Sequence, residues 1–462
     1  MPSTYIQRTP SGGNRKKWTW SGWIRLTDVT SGNRYLWSGY SASNNTGYLS
    51  AYFHTDSQLT IGAWNTNYLN TTRVFRDPCA WYHIVIALDT AQATAANRLK
   101  LYVNGVEETV FDTDNRSSIS QDSDMGYNSN GIHTIGGYQS SGSANAGFDG
   151  LMSHVHFTDG YAYTPSAFGS TDATTGEWKI NTSPSVSYGT TGYFIFKNDA
   201  GVTDQSPNSN NWTASGSLIP SQDNPSNVYN ILNPVHPTAD NFTLSNGATK
   251  ITKTSATNQG AFLGTIMPRT GKWYFEAKIN EAGTSDRTRV GVCNYDSIIN
   301  NEQSTMQTMS APASGLEIGC KGANMIQIIN SSNTEYQNSG TYSDGDIVQI
   351  AMDLDNKAIY VGRNGTYVTQ SGSSGGDPTS GAAKTGAIIT DTTYILDGGP
   401  MCSYFGHYAG STDTSNVSYN FGNGYFGTTA VSSAGTNASG NGIFEYDVPN
   451  GYTALCTKGL NI

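Results

Sequence analysis

Closely spaced carboxylates, a histidine pair and aromatic rings beside polar loops are the residues of this chain whose types and spacing could do chemistry. Asp353 and Asp355 stand two positions apart. Glycoside hydrolysis needs two carboxylates flanking the bond, and on β-sheets a string such as E-x-D-x-x-E supplies them from one strand. No such string occurs, and Asp353 and Asp355 fall where a strand enters its turn, so they are read as hairpin-turn residues. His154 and His156 form a His-x-His pair on one strand face, opposite Leu151, Val155 and Phe157. Such a pair can bind a transition metal. No third ligand stands nearby in sequence, and surface or inter-subunit packing is expected instead. Asp112, Asp114, Asp122 and Asp124 make a loose acidic loop after a hairpin. Calcium prefers clustered oxygens, but the spacing is not that of an EF-hand and the loop reads as solvated. There is no nucleophile elbow and no phosphate loop. No catalytic residue, metal ligand or cofactor is therefore assigned; calcium is an option with no supporting motif.

The aromatic supply points to recognition. Tyr40, Tyr48, Trp64, Tyr68, Tyr127 and Tyr138 stand beside Ser/Asn/Gly loops. A Tyr or Trp ring offers an apolar face at little entropic cost, and adaptable polar neighbours complete a site for sugars or proteins. Tyr40, Trp64, Tyr68, Tyr127 and Tyr138 are the ligand-binding candidates. The competing reading has these rings seal loop ends over the core or line a subunit interface.

Positioning such residues requires a scaffold, and composition defines its class. A chain of 462 residues is too long for one core and suits two domains. Charged residues make up 13%, half the usual share of about a quarter. The 52 Gly and 28 Tyr, with abundant Ser, Thr and Asn, are the residues of turns and strands. Amphipathic helical runs are nearly absent. The fold class is all-β: two consecutive antiparallel β-sandwich (jelly-roll) domains. A net charge of -10 repels phosphate backbones and excludes nucleic acid as a partner; the one basic cluster, Arg15 to Lys17, is too short to reverse this. Cys79, Cys293, Cys320, Cys402 and Cys456 have no metal-site or disulfide spacing and read as buried thiols. The opening MPSTYIQRTP has no signal-peptide core, and no stretch suits membrane insertion.

Period-two runs place the strands. KWTWSGWIRL puts Trp18, Trp20, Ile24 and Leu26 on one face around Gly22. WYHIVIALD aligns Tyr82, Ile84, Ile86 and Leu88, and RLKLYV aligns Leu99, Leu101 and Val103. FDGLMSHVHFTDG turns Leu151, Val155 and Phe157 inward. GKWYFEAKI and DIVQIAMDLD repeat the pattern with Trp273, Phe275, Ala277 and Ile279, then Val348, Ile350, Met352 and Leu354. Asn104-Gly105 and Asn364-Gly365 are hairpin signals, because a type I′ turn needs two residues of positive φ. Residues 201–240 lose all periodicity. The expected division is 1–200, a first sandwich; 201–240, an irregular packed connector in which Trp212, Tyr229, Ile231 and Leu232 need burial; and 241–462, a second sandwich.

TRVFRDPCAWYHIVIALDTAQATAANRLKLYVNGVEET resembles the core hairpin of laminin-G-like, concanavalin A-like jelly rolls. FDGLMSHVHFTDGYAYTPSAFG with TGEWKI resembles their closing segment as it occurs in marine bacteriophage virion proteins of tail-fibre type. GKWYFEAKI, RVGVCN and SDGDIVQIAMDLDNKAIYVGRNG resemble a SPRY domain, and VPNGYTALCTK the tail of phage-associated SPRY units. The resemblance implies a non-enzymatic virion structural or adhesion protein: a tail fibre, capsid fibre or knob-like appendage. It would be assembled in the host cytoplasm and exposed on the released particle. Implied partners are other virion proteins and a host-surface glycan or outer-membrane protein, bound by a homo-oligomer, a trimer by the habit of fibres. The alternatives are a decoration protein without receptor binding and a carbohydrate-active enzyme.

Overall fold

The structure, a computed structural model, describes residues 4–29, 32–140, 143–145, 147–197, 201–235, 242–254, 260–283, 287–296, 315–319, 324–329, 332–337, 342–407 and 414–461. The chain forms two compact units, residues 1–220 with 224–226, and residues 221–223 with 227–462. Both are built from antiparallel sheets, the all-β sandwich architecture expected from composition.

In the first unit an eight-stranded sheet runs from edge to edge as β10 (Phe111–Asp114), β6 (Asn67–Val74), β5 (Gln58–Ala63), β4 (Tyr48–Phe53), β3 (Arg34–Tyr40), β11 (Ile132–Ile135), β1 (Tyr5–Arg8) and β18 (Thr213–Ser215). A six-stranded sheet runs β17 (Tyr193–Ile195), β14 (Gly150–Asp159), β2 (Lys17–Leu26), β7 (Tyr82–Asp89), β8 (Leu99–Val103) and β9 (Val106–Glu107). Two short hairpins complete it, β12 (Tyr138–Ser140) with β13 (Ser143–Asn145) and β15 (Gly169–Thr171) with β16 (Trp178–Ile180). Residues 213–215, inside the aperiodic stretch, thus pair with β1, and Trp212 is buried in this core.

The core lies between the sheets, and the period-two faces supply it. Trp18, Trp20, Ile24 and Leu26 of β2 meet Ile84, Ile86 and Leu88 of β7 and Leu99, Leu101 and Val103 of β8. Trp18 and Trp37 meet edge to face with centroids 6.0 Å apart. Gly22 makes this possible: a Cβ there would stand 2.6 Å from the Trp20 ring. Buried rings of this size are each worth about 3–5 kcal/mol against truncation to Ala.

Strand β14 corrects one expectation. Its register against β2 shifts between Ser153 and His156, and His154 takes a positive φ of 48°. Across this bulge the alternation changes phase. Met152 packs on the core beside Val155 and Phe157, while Leu151 does not. His154 and His156 are not at the surface. They are 8% and 1% exposed, beneath aromatic rings on the outer side of the six-stranded sheet.

In the second unit one sheet runs β19 (Phe242–Ser245), β20 (Lys250–Lys253), β31 (Ser415–Asn420), β22 (Lys272–Glu281), β27 (Ile347–Asp353), β28 (Ala358–Arg363) and β29 (Thr366–Val368), and β34 (Thr453–Ala454) pairs with β22 in parallel. The other runs β21 (Gly260–Leu263), β30 (Met401–His407), β23 (Thr288–Asn294), β24 (Gly315–Gly319), β25 (Asn324–Ile329) and β26 (Ser332–Gln337), with a small hairpin of β32 (Tyr425–Phe426) and β33 (Thr429–Ala430). Tyr229 and Leu232 are buried in this unit's clusters, as is Ile231 close by.

The two units repeat one hairpin device. Lys17 pairs with Asp89 across β2 and β7, and Lys272 with Asp353 across β22 and β27, with ion pairs of 3.3 and 2.9 Å. Asn104-Gly105 and Asn364-Gly365 both have two positive φ values, 48° and 83°, 48° and 89°. Each Asn side chain also accepts the N–H of the residue facing it, His83 or Ile347.

Candidate functional site: the aromatic face of the first sandwich

Strands β3, β4 and β5 turn Trp37, Leu49, Ala51, Phe53, Leu59 and Ile61 into the core. The alternate residues must face the other way, and here they are aromatic or polar. Tyr35 pairs with Tyr52 and Tyr40 with Tyr48 across β3 and β4. The Tyr35 ring stacks on Tyr52 at 4.7 Å between centroids and lies 4.5 Å from Tyr138. At the strand end, Trp64 stands 6.2 Å from Tyr40 and 5.7 Å, edge on, from Tyr48. Tyr48 is buried and backs Trp64, which is 38% exposed; the other four rings are half-buried.

Two loops frame this band. In the β3–β4 loop the Asn44 side-chain oxygen Oδ1 accepts from the Thr46 and Gly47 N–H groups at 3.1 and 2.8 Å, a turn that brings Tyr40 and Tyr48 into register. Asn45 joins this loop to the β5–β6 loop, donating to Thr66 Oγ1 at 3.0 Å and accepting from Asn65 N–H at 2.8 Å. Tyr40 Oη and Ser43 Oγ are 3.0 Å apart. Across the sheet Thr60 donates to Asn70, and Asn70 to Gln58, both at 2.7 Å. No Asp, Glu, Lys, Arg or His occurs from Tyr35 to Phe53 or from Ser57 to Thr72. Burial pushes the phenols of Tyr35 and Tyr52 up and that of Tyr48 up to about 12, so all stay neutral donors. The face combines flat rings, hydroxyls and amides, with charge only at its margins, where Asp112 accepts from Gln58 and Arg15 donates to the Thr46 carbonyl.

Of the five candidates, Tyr40, Trp64 and Tyr138 lie on this face. Tyr68 and Tyr127 do not: they are 4% and 1% exposed. Tyr127 packs on Trp37 at 4.5 Å and shares a hydrogen bond with Tyr193 at 3.0 Å. Their rings belong to the core, the competing reading of the loop aromatics. Tyr35 and Tyr52 were missed. Their signal was present in RYLWSGY and YLSAYF, where they alternate with the core residues.

The other chemical candidates have structural duties. Asp353 accepts from Asn356 N–H and Nδ2 at 2.9 and 2.8 Å and pairs with Lys272, while Asp355 accepts from Gly271 N–H at 2.7 Å. Asp114 is held by Arg116 at 2.9 and 2.6 Å, which lowers its pKa. Asp124 faces Arg15 at 3.5 Å, and Asp112 accepts from Gln58. Among the described residues no group of three or more His, Cys, Asp or Glu is placed to hold a metal ion.

His83 is sandwiched between Trp23 and Trp178 at 4.8 and 6.0 Å. His156 stacks on Phe194 at 3.9 Å and meets Tyr188 Oη at 2.9 Å. His154 Nδ1 meets Ser153 Oγ at 2.8 Å.

Residues 3–167 match the Concanavalin A-like lectin/glucanases superfamily, in its Laminin_G_3 family. No curated protein matches the chain. Among solved structures the chain is similar to the SPRY domain of human HERC1 (15% identity, 38% of this chain and 91% of that one, TM-score 0.28). It is also similar to a heptameric SAP-like pentraxin from Limulus polyphemus (19%, 35% and 72%, 0.27). A third is a protein from Bacteroides ovatus assigned as carbohydrate binding (18%, 46% and 56%, 0.31). At such TM-scores these likenesses carry no argument about what the chain binds.

Proposed function

We propose that the chain is a non-enzymatic adhesion component of a bacteriophage particle whose first sandwich binds an uncharged host-surface glycan through the Tyr35–Tyr40–Tyr52–Trp64–Tyr138 face. The observation that carries the reading is the aromatic band, whose segments Tyr35–Phe53 and Ser57–Thr72 carry no charged side chain. Flat rings pack on the apolar faces of sugar rings, and neighbouring amides and hydroxyls satisfy sugar hydroxyls. The match of residues 3–167 to a lectin-type superfamily supports it. The likeness of the His154 segment and of the closing VPNGYTALCTK to phage virion proteins supports the setting. Tail fibre, capsid fibre or appendage all suit a chain presented in several copies, and a homotrimer would turn weak single-site binding into avidity.

Trp64→Ala, and separately Tyr40→Ala, are expected to weaken binding of the purified chain to immobilised neutral glycan about 10- to 100-fold, as loss of an anchoring ring does. The melting temperature should scarcely move, because Trp64 is already 38% exposed. Glycan and host-cell binding that survive both substitutions would overturn the proposal.

A second reading rests on apolar side chains at the sheet edges. Val106 and Val110 are 64% and 66% exposed, in and beside the edge strands β9 and β10, and Val74 at the end of β6 is 44% exposed. Such a surface suits a protein partner, as in a decoration protein that binds the particle and no receptor. Purified chain that coats virion shells but neither adsorbs to host cells nor blocks infection would favour it.

A further inference from the structure

The second unit sets two cysteines side by side. Cys293 of β23 and Cys402 of β30 are direct partners in antiparallel register. Their sulfurs are 3.2 Å apart and fully buried in a cluster of their own with Ala261, Leu263 and Tyr404, apart from the main core. Directly opposed residues of antiparallel strands hold their Cα atoms about 4.5–5.5 Å apart, within the span of about 4.4–6.8 Å that a disulfide bridges. On its other side Cys293 pairs with Gly315. A Cβ at Gly315 would stand 3.0 Å from the Cys293 Cβ, so the absent side chain leaves the thiol room to turn.

We propose that Cys293 and Cys402 are a modification site: a dithiol in thiol-rich surroundings that closes to a cross-strand disulfide when the protein meets a low-molecular-weight disulfide, RSSR. In the first exchange the Cys293 thiolate attacks one sulfur of RSSR, the S–S bond breaks, and RS⁻ leaves. In the second the Cys402 thiolate attacks the Cys293 sulfur of the mixed disulfide and expels the other RS⁻. Both cysteine protons end on two RSH, and the two electrons reduce RSSR. Burial, and the neighbouring thiol, keep Cys293 protonated. Only the thiolate attacks, and both sulfurs are buried, so closure in the folded chain waits on local opening of the strand pair. The link would join residues 293 and 402 and tie β23 to β30. It does not depend on the glycan reading.

The test uses the full chain carrying Cys79→Ser, because Cys79 is exposed and not the buried thiol expected; Cys320 lies outside the described residues. Reduced protein is incubated with oxidised glutathione, and a second sample is refolded from denaturant in its presence. A cross-linked Cys293–Cys402 peptide is expected in the digest, with an intact mass about 2 Da lower and a melting temperature higher by about 5 °C. Cys293→Ser should abolish all three changes. Cys293 and Cys402 that both remain open to alkylation after either treatment would overturn the proposal, as would a link that lowers the melting temperature.

Discussion

Taken from pH 7 to pH 5, the first sandwich is expected to lose about 2 kcal/mol for each histidine it keeps buried and neutral. His83, His133, His154 and His156 are such residues. Burial pushes His83 down to about 3, His133 and His154 to about 4, and His156 well below 6.5; Lys197 adds to the effect at His154 and His156. Folded pKa values below the unfolded one mean that the unfolded chain binds more protons from pH 6.5 downward. The stability is whole above pH 6.5 and falls at about 1.4 kcal/mol per pH unit per histidine until the folded pKa is reached.

His83 shows the cost in atoms. Trp178 Nε1 donates to its Nδ1 at 3.0 Å, which leaves the ring proton on Nε2, toward Ser21 Oγ at 2.9 Å. A second proton on Nδ1 would set two donors face to face. Four such groups approach the whole stability of a typical domain, about 5–15 kcal/mol. Urea unfolding at pH 7.5, 6 and 5, followed by tryptophan fluorescence, reads this unit selectively, since every tryptophan except Trp273 precedes residue 213. His156→Phe should flatten the slope by about one proton. A stability constant across that range would mean that water reaches these rings.

The second large effect lies in the other unit and has the opposite sign. Glu276 sits on β22 between the core residues Phe275 and Ala277, so its side chain leaves the opposite face, and it is fully buried there. Its Oε1 accepts from Tyr274 Oη and Tyr446 N–H, both at 2.9 Å. Its Oε2 accepts from Glu445 N–H at 3.0 Å and Asn420 Nδ2 at 3.3 Å. The carboxylate thereby fastens the segment around Phe444 to the sheet.

Burial outweighs these donors and raises its pKa to about 7. A folded pKa above the unfolded 4.5 contributes stability that is complete below pH 4.5 and is lost as the pH climbs through 7. Glu276→Ala should cost the second unit about 3–5 kcal/mol, because four donors, two of them buried, lose their acceptor. Glu276→Gln should cost less, since one oxygen remains, although its amide would face two donors. Hydrogen exchange reports the result directly: the Glu445 and Tyr446 amides should lose protection. Unchanged protection in Glu276→Ala would show that the segment is held by its apolar contacts alone.

Most of the strand layout was legible because its grammar is local. A strand exposes every second residue to one face, so Trp18, Trp20, Ile24 and Leu26, or Trp273, Phe275, Ala277 and Ile279, announce a buried face by spacing alone. Asn-Gly pairs announce their own backbone. The failure at β14 is instructive: one bulge reverses the alternation, and nothing in LMSHVHF marks it. The bulge exchanged Met152 for Leu151 on the core face; His154 and His156 do leave the opposite face, but they lie there beneath rings that arrive from residues 168 and 194.

The aromatic candidates divided for a related reason. A tyrosine beside a polar loop can fold inward or outward with the same local sequence. Tyr127 turned inward because Trp18, Trp37 and Phe157 offered it a place. Tyr40 and Trp64 stayed outside because Tyr48 filled the position behind them.

By itself, the sequence determined a chain of low charge that must fold into antiparallel sandwiches with particular residues inward, since periodicity and turn chemistry act between near neighbours. Tertiary structure alone decided which rings share a surface, which histidines lose their water and that Cys293 and Cys402 touch. Those outcomes depend on strands far apart in the chain meeting in one register, and no spacing along the chain encodes that meeting.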